Sequence, residues 1–323
     1  MSTESLDPVA ARPAVPTDSP SPTPRTHLYP LIAVIGASVM LSLGSTIVVE
    51  SGSPGVVLTF WRMWAASLIW FVVVRRAGVG PRRAALRKAM PVGVFYGLNL
   101  ALFFSAVTTT RVANAEFIGT LTPILIVPFA AHKLRERVSR KVIVFAALAL
   151  VGVAFVLFNA PSGAGENNWT GNGLAFAGVI AWSIYLLMSK DARATIDTRN
   201  LMFGLTLTAA FVVTPIALVT NDVLKVSATG WLMIALSTLG NGILAHGLVS
   251  WSQSKVPVST ISMIQLSQPG MAAFWAWLFI GQSIKPLQAV GMVIVIIAVG
   301  AIATEAARRH LASSAASNGG DSR

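Results

Sequence analysis

Two stretches of sequence decide the fold: VANAEFIGTLTP at residues 112–123 and VSTISMIQLSQP at residues 258–269. They align without a gap, so that Val112 falls on Val258 and Pro123 on Pro269. A self-match between distant segments is the signature of an internal repeat. Extended outward, the match divides the chain into two related halves, at residues 31–159 and 172–304.

Each half contains five apolar stretches of roughly 20 residues, the length that crosses a hydrocarbon core as a helix. Because five is an odd number, the second half must enter the membrane from the opposite side. The sequence therefore predicts an all-α integral membrane protein of ten transmembrane helices, arranged as two inverted five-helix repeats. The predicted spans are residues 31–50, 55–74, 90–109, 112–131, 141–159, 172–189, 200–220, 231–251, 257–280 and 286–304.

The composition agrees with a membrane location. The chain has 323 residues, of which 54% are hydrophobic and 11% charged, with a mean hydropathy of +0.70. A soluble domain carries about 25% charged residues, so a water-exposed fold is excluded. The net charge of +12 would suggest nucleic acid in a soluble protein. The absence of cysteine excludes disulfides, thiolate chemistry and cysteine metal sites.

The positions of the basic residues explain that charge. With a cytoplasmic amino terminus, only Arg111, Lys225 and Lys285 fall in external loops. Lys and Arg collect in cytoplasmic loops, so this distribution predicts a multi-pass protein of the cytoplasmic (inner) membrane with both termini inside. Residues 1–28 are expected to be a disordered Pro-rich tail, residues 305–323 a cytoplasmic tail, and residues 313–323 disordered. The basic residues of the cytoplasmic loops are Arg75, Arg76, Arg82, Arg83, Arg87, Lys88, Lys133, Arg135, Arg137, Arg140, Lys141, Lys190, Arg193, Arg199 and Lys255.

Two charged residues inside the spans are candidates for function, because each costs about 2.5 to 3.5 kcal/mol at a helix centre. Glu116 lies about one turn into the fourth span from the external side. It is either solvated at the interface or a cavity carboxylate that binds a substrate ammonium group or a proton. Arg62 lies two turns into the second span. It either serves as a structural ion-pair partner, with Glu116 for example, or contacts a substrate carboxylate.

The surroundings of Glu116 favour the cavity. Glu116, Gly119, Thr120 and Pro123 follow helical spacing and share one face. Their counterparts in the second half are Ser262, Gln265, Leu266 and Pro269. Proline frees backbone carbonyls that need a protein-lined or wet environment, so Pro123 and Pro269 are predicted to interrupt helices along a central pathway.

Four neutral residues are further candidates. Asn99 is central in the third span, and His246 is the histidine that lies well inside a span, near the repeat equivalent of Asn99. His246 is either packed and hydrogen-bonded between helices or contributes a substrate contact or a proton relay. Gln265 and Gln268, in the ninth span, serve either helix-to-helix hydrogen bonds or substrate binding.

Three deep aromatic residues complete the set of candidates: Tyr96, Trp182 and Tyr185. They could wall an apolar or aromatic substrate pocket. Helix packing is the competing explanation, so they rank below Glu116 and Asn99.

Some chemistries have no motif in the chain. No Gly-x-x-x-x-Gly-Lys-Ser/Thr phosphate loop is present, which excludes direct ATP hydrolysis as the energy source. No His, Asp and Glu cluster has metal-ligand spacing. No cofactor, no metal and no catalytic residue are therefore expected.

The pattern resembles the EamA family of the drug/metabolite transporter superfamily over residues 31–304. The resemblance rests on Phe60-Trp61-Arg62, on the Thr122-Pro123 and Gln268-Pro269 positions, and on the stretch Leu134-Arg135-Glu136-Arg137-Val138-Ser139. In the second half Gln282 replaces the signature glutamate, and Leu43 stands where the family has tryptophan. Asn99, Phe103-Phe104 and the segment from Ala115 to Pro123 are similar to the threonine and homoserine exporter branch.

The resulting hypothesis is a secondary transporter that exports amino acids or related small metabolites by alternating access, with proton coupling left open. Drug or other metabolite efflux is the alternative. A membrane-embedded enzyme is disfavoured because His246 has no carboxylate neighbour in its helix. A non-transporting sensor or scaffold is disfavoured because polar faces recur in both halves. The expected partners are a small-molecule substrate, the lipid bilayer and, with coupling, protons, without nucleic acid; a monomer and a homodimer are both compatible.

Overall fold

The computed structural model describes residues 24–78, 80–122, 124–125, 140–159, 168–193, 195–220, 222–253, 264–265 and 267–318. Within these ranges the chain forms helices and short connections, with no β-strand. Pro123, the stretch Leu134–Ser139, Ser262 and Leu266 lie outside them. In chain order the helices are α1 (Pro24–Ser42), α2 (Gly44–Glu50), α3 (Gly55–Arg76), α4 (Arg83–Thr109), α5 (Val112–Gly119), α6 (Arg140–Phe158), α7 (Trp169–Arg193), α8 (Thr198–Thr220), α9 (Ala228–Leu236), the π-helical α10 (Ser237–Ala245), α11 (His246–Gln253), α12 (Gln268–Ile280) and α13 (Pro286–Asn318).

Six stretches of the described chain are long and apolar enough to cross a membrane. They match the first, second, third, sixth, seventh and eighth predicted spans. Two shorter apolar helices, Ile143–Phe158 and Pro286–Ile302, lie in the fifth and tenth. The all-helical, membrane-spanning fold class is thus confirmed, whereas the total of ten spans remains a prediction. The six stretches are Tyr29–Glu50, Gly55–Arg76, Arg83–Thr109, Trp169–Ser189, Thr198–Thr220 and Ala228–Val249.

Helices extend into both predicted tails. Helix α1 begins at Pro24, inside the predicted disordered tail, because proline fits the first helical position, where its missing N–H is not needed. Helix α13 continues to Asn318, so the prediction of disorder from Ser313 is wrong for residues 313–318. The cause is local: residues 305–312 are mostly Ala, Arg, Glu and Leu, which favour helix.

Glycines bring the helices into close contact. A Cβ on Gly152 of α6 would lie 3.0 Å from the carbonyl oxygen of Gly291 in α13. In return, a Cβ on Gly291 would lie 2.8 Å from the carbonyl oxygen of Gly152. Small residues at such crossings let helix backbones approach closely. The contact is reciprocal between the last helix of each half.

One end of the bundle is joined by polar contacts between the halves. Gly281 follows α12 with a φ of 71°, and the N–H of Gln282 donates to Ala276 O at 3.2 Å, which closes the helix end. The side chain of Gln282 accepts from the N–H of Val112 at 3.1 Å. Since α5 has no side-chain cap of its own, Gln282 satisfies one of its free N–H groups from the other half. This contact gives a structural use to the residue that replaces the signature glutamate.

Candidate functional site

The first span is interrupted, and a side chain from the other half bridges the gap. Helix α1 ends at Ser42, and α2 begins at Gly44. With its amide oriented to suit its neighbours, Asn241 of α10 donates to Met40 O at 2.7 Å and accepts from Gly44 N at 3.2 Å. In a continuous helix those two backbone groups would bond to each other. The inserted amide accounts for a break that no proline explains.

Gly44 is the residue that lets the amide approach. Asn241 is only 5% exposed, and a Cβ built on Gly44 would overlap its side-chain amide. The contact therefore requires glycine at this position.

Glu116 contacts the residue that follows Gly44. The hydroxyl of Ser45 donates to a carboxylate oxygen of Glu116, which is half-buried. Because α5 begins at Val112, Glu116 lies about one turn into that helix, where the sequence predicts it.

Arg62 approaches the same region from α3. It is 4% exposed, its Nη1 donates to the hydroxyl of Ser237 at 3.1 Å, and its Cζ lies 5.3 Å from the ring centroid of Phe104. This is cation–π geometry. Among the described residues Arg62 forms no ion pair with Glu116. The two charges are therefore held by separate hydroxyl groups.

These contacts form one connected group, which we call the polar cluster. It runs from Glu116 through Ser45 and Gly44 to Asn241. Asn241 and Ser237 lie one turn apart on α10, a π-helical segment of the kind often found at functional sites. The residues of the polar cluster come from both halves of the chain: Gly44, Ser45, Arg62 and Glu116 from the first, Ser237 and Asn241 from the second.

Four other predicted residues meet on the seam between α4 and α7. The side-chain amide of Asn99 donates to Gly178 O at 2.9 Å. The rings of Tyr96 and Tyr185 lie 5.1 Å apart, and those of Trp182 and Tyr185 lie 4.7 Å apart. These contacts are of the kind expected for helix packing, the competing explanation for the three aromatic residues.

Asn99 and Asn241 occupy corresponding places. Each lies in the third span of its half, and each donates to a backbone carbonyl in the first span of the other half. From the sequence, His246 is the candidate at the membrane depth of Asn99, and Asn241 is missed. The sequence does contain a signal for the correspondence of the two asparagines, because Gly97-Leu98-Asn99 resembles Leu239-Gly240-Asn241. Ser45 and Ser237 gave no comparable signal, since single hydroxyl groups are common in apolar helices.

The remaining predicted residues lie elsewhere. His246 is exposed and begins α11, whereas Gln265 and Gln268 are half-buried. The Nε2 atom of Gln268 is buried and has no hydrogen-bond partner. Pro269 lies in the first turn of α12, so the described helix of the ninth span begins beside it. Pro123, its counterpart, lies outside the described residues.

An apolar groove of about 530 Å³ opens along α3, α8 and α9. The indole N–H groups of two of its tryptophans are satisfied, Trp61 by Val223 O at 2.9 Å and Trp64 by Thr214 Oγ1 at 3.1 Å. The groove offers little polar chemistry and is distinct from the polar cluster. The described residues that line it are Trp61, Trp64, Ala65, Ser67, Leu68, Phe71, Phe203, Leu207, Trp231 and Ile234.

Comparison with known proteins relates both halves to one family. The model of the EamA-like transporter family matches residues 25–158 and again residues 169–304. A solved crystal structure has the same fold, with a TM-score of 0.58 and 22% identity over 88% of this chain and 99% of the other.

Two exporters are similar over most of their length. The pseudopaline exporter of Pseudomonas aeruginosa is 26% identical over 83% of this chain and 93% of its own. The threonine/homoserine exporter of Escherichia coli K12 is 25% identical over 81% of this chain and 79% of its own.

Proposed function

The chain belongs to the EamA-like transporter family of the drug/metabolite transporter superfamily, and we propose that it exports amino acids or related small metabolites across the cytoplasmic membrane. It is a multi-pass membrane protein whose relatives are exporters. Threonine and homoserine, the cargos of one relative, are zwitterions with an ammonium group and a carboxylate. The site should therefore offer groups of both charges.

The polar cluster is the observation that carries the proposal. Glu116 is a carboxylate held by Ser45 beside the interrupted first span. Polar groups inside a membrane protein commonly mark a substrate or ion path, and transporters build such sites at interrupted helices between repeats. Glu116 is the group we assign to the substrate ammonium. Asn241, from the other half, holds the interruption open.

The proposed architecture is ten spans in two inverted repeats, residues 31–159 and 172–304, with both termini in the cytoplasm. Three observations support it. The family model matches the chain twice. Gly152 and Gly291 contact each other reciprocally. The two asparagine contacts correspond between halves. Such halves can rock against each other around a fixed site, which is alternating access.

We propose that the same carboxylate couples export to protons. If Glu116 binds either the ammonium group or a proton, bound substrate and bound proton exclude each other, so release of the substrate allows uptake of a proton. An exporter built this way exchanges an outgoing cationic group for an incoming proton. Drug efflux is the second candidate, and the apolar groove lined by Trp61, Trp64 and Trp231 is the observation that favours it.

A thermal-shift panel on the purified protein separates the two candidates. Ligands that bind the folded state raise the melting temperature. We expect at least one zwitterionic amino acid to raise it, and the matching 2-hydroxy acid, which lacks the ammonium group, to leave it unchanged. Stabilisation by lipophilic cations, with no response to any amino acid, would favour drug efflux and contradict the proposal.

A further inference from the structure

We propose that Arg62 binds the carboxylate of the substrate through the Nε and Nη2 edge of its guanidinium group. This inference rests on the proposed function and names the second half of the same site. Arg62 is 4% exposed, yet the hydroxyl of Ser237, a neutral group, is its hydrogen-bond partner among the described residues.

The unpaired edge is the one suited to a carboxylate. Nη1 is occupied by Ser237, whereas the buried Nε has no partner. No hydrogen bond of Nη2 is found among the described residues either. The Nε–H and one N–H of Nη2 point in the same direction, and such a pair matches the two oxygens of a carboxylate. A buried cation without a nearby anion is costly, so an incoming carboxylate would gain a strong interaction here.

Gly242 leaves room at that edge. An ideal Cβ on Gly242 would lie 3.5 Å from Nη2 and 3.7 Å from Nε, closer to the guanidinium than to any other side chain. Because glycine has no Cβ, residue 242 places no side-chain atom against this edge. The helix that holds Nη1 through Ser237 thus leaves the buried Nε without a hydrogen bond among the described residues.

Arg62 and Glu116 together offer one charged group for each end of a zwitterion. Glu116 and Arg62 are not paired with each other, and each is held within the polar cluster by its own hydroxyl group, that of Ser45 or Ser237. The amide of Asn241 connects the two sides through Gly44. An amino acid that places its ammonium group toward Glu116 and its carboxylate toward Arg62 would satisfy both charges at once.

The first test fills the open edge with a methyl group. In Gly242→Ala the new Cβ makes ordinary van der Waals contacts, so we expect the protein to fold. The methyl group would block a carboxylate. In proteoliposomes we expect the KM for L-threonine to rise about tenfold, as for the loss of a charge-assisted hydrogen bond. The KM for threoninol, in which a hydroxymethyl group replaces the carboxylate, should change less than about twofold, as for a surface change.

Gly240→Ala is the matched control. It makes the same substitution in the same π-helical segment, but its nearest atom is the Cε of Met40 at 3.4 Å. It should leave the KM for both probes unchanged. Arg62→Gln should lower kcat/KM for L-threonine about tenfold or more and spare threoninol, whereas Arg62→Lys should recover part of the loss.

Three outcomes would overturn the inference. If wild-type protein transports L-threonine and Gly242→Ala leaves its KM unchanged, Arg62 does not bind the carboxylate, and the proposed function stands. An equal rise for L-threonine and threoninol would have the same meaning. If the wild type transports neither probe nor any other zwitterionic amino acid, the proposed function and the inference fail together.

Discussion

Replacing Glu116 with glutamine is expected to lower export about tenfold or more and to flatten its dependence on pH. Glutamine has almost the same shape and keeps an oxygen that can accept from Ser45. It cannot carry the negative charge that attracts an ammonium group, nor can it take up a proton. Loss of a buried charge-assisted contact typically costs at least about tenfold in binding. The measurement is efflux from loaded proteoliposomes at several pH values.

Glu50→Gln is the control for that experiment. Glu50 is an exposed carboxylate at the end of α2, so the same chemical change there should leave export and its pH profile intact. Equal amounts of both variants in the membrane fraction would show that insertion is normal. Unchanged efflux by Glu116→Gln would contradict the assignment of Glu116 to the substrate ammonium group.

Replacing Gly55 with alanine should strongly lower the thermal stability of the protein. Gly55 is the first residue of α3, and a Cβ there would overlap the backbone carbonyl of Phe104 in α4. A backbone atom cannot rotate away, so the two helices must separate. Overpacking of this kind typically costs 1 to 3 kcal/mol or more. Because the same crossing sets Arg62 over the ring of Phe104, we expect loss of both thermal stability and transport.

Gly36→Ala is the matched control for the helix crossing. Gly36 lies in α1, and no atom is within 4 Å of its ideal Cβ. It should melt within a few degrees of the wild type, measured by fluorescence-detected size exclusion after heating. A Gly55→Ala protein as stable as Gly36→Ala would mean that α3 and α4 do not cross as described.

Much of the fold could be predicted from the sequence, because the hydropathy of a single stretch indicates whether that stretch can form a membrane-spanning helix. The length of each apolar run decides whether it can span a membrane, and the six long helices end within a few residues of the predicted bounds. The start of α1 and the end of α13 were harder to predict. Pro24 and the residues after Thr304 lie beyond the apolar runs, where helix propensity alone decides the outcome.

The site was only partly predictable, for a physical reason. Glu116 and Arg62 stand out because a charge in a membrane is costly, and a single charged residue within an apolar stretch can be recognised from the sequence. The interruption at Leu43 is different, since its cause is Asn241, which is distant in the sequence. Periodicity reveals the faces of single helices and does not reveal which side chain of one helix inserts into another.

Asn99 is a residue whose position in the sequence suggests a different role from the contact that it makes in the structure. Its central position in an apolar span favoured a substrate contact, but its amide donates to Gly178 O. A buried amide needs a hydrogen-bond partner, and the sequence does not show whether a helix or a substrate supplies it. Its correspondence with Asn241 became visible only once both partners were known.

Counterflow of labelled L-threonine into proteoliposomes tests the central claim most directly. The vesicles are loaded with unlabelled L-threonine and diluted into a trace of the labelled amino acid. A transporter that alternates between two sides will accumulate label transiently, and Glu116→Gln will accumulate much less. No accumulation above protein-free vesicles, or equal accumulation by the wild type and Glu116→Gln, would contradict the account.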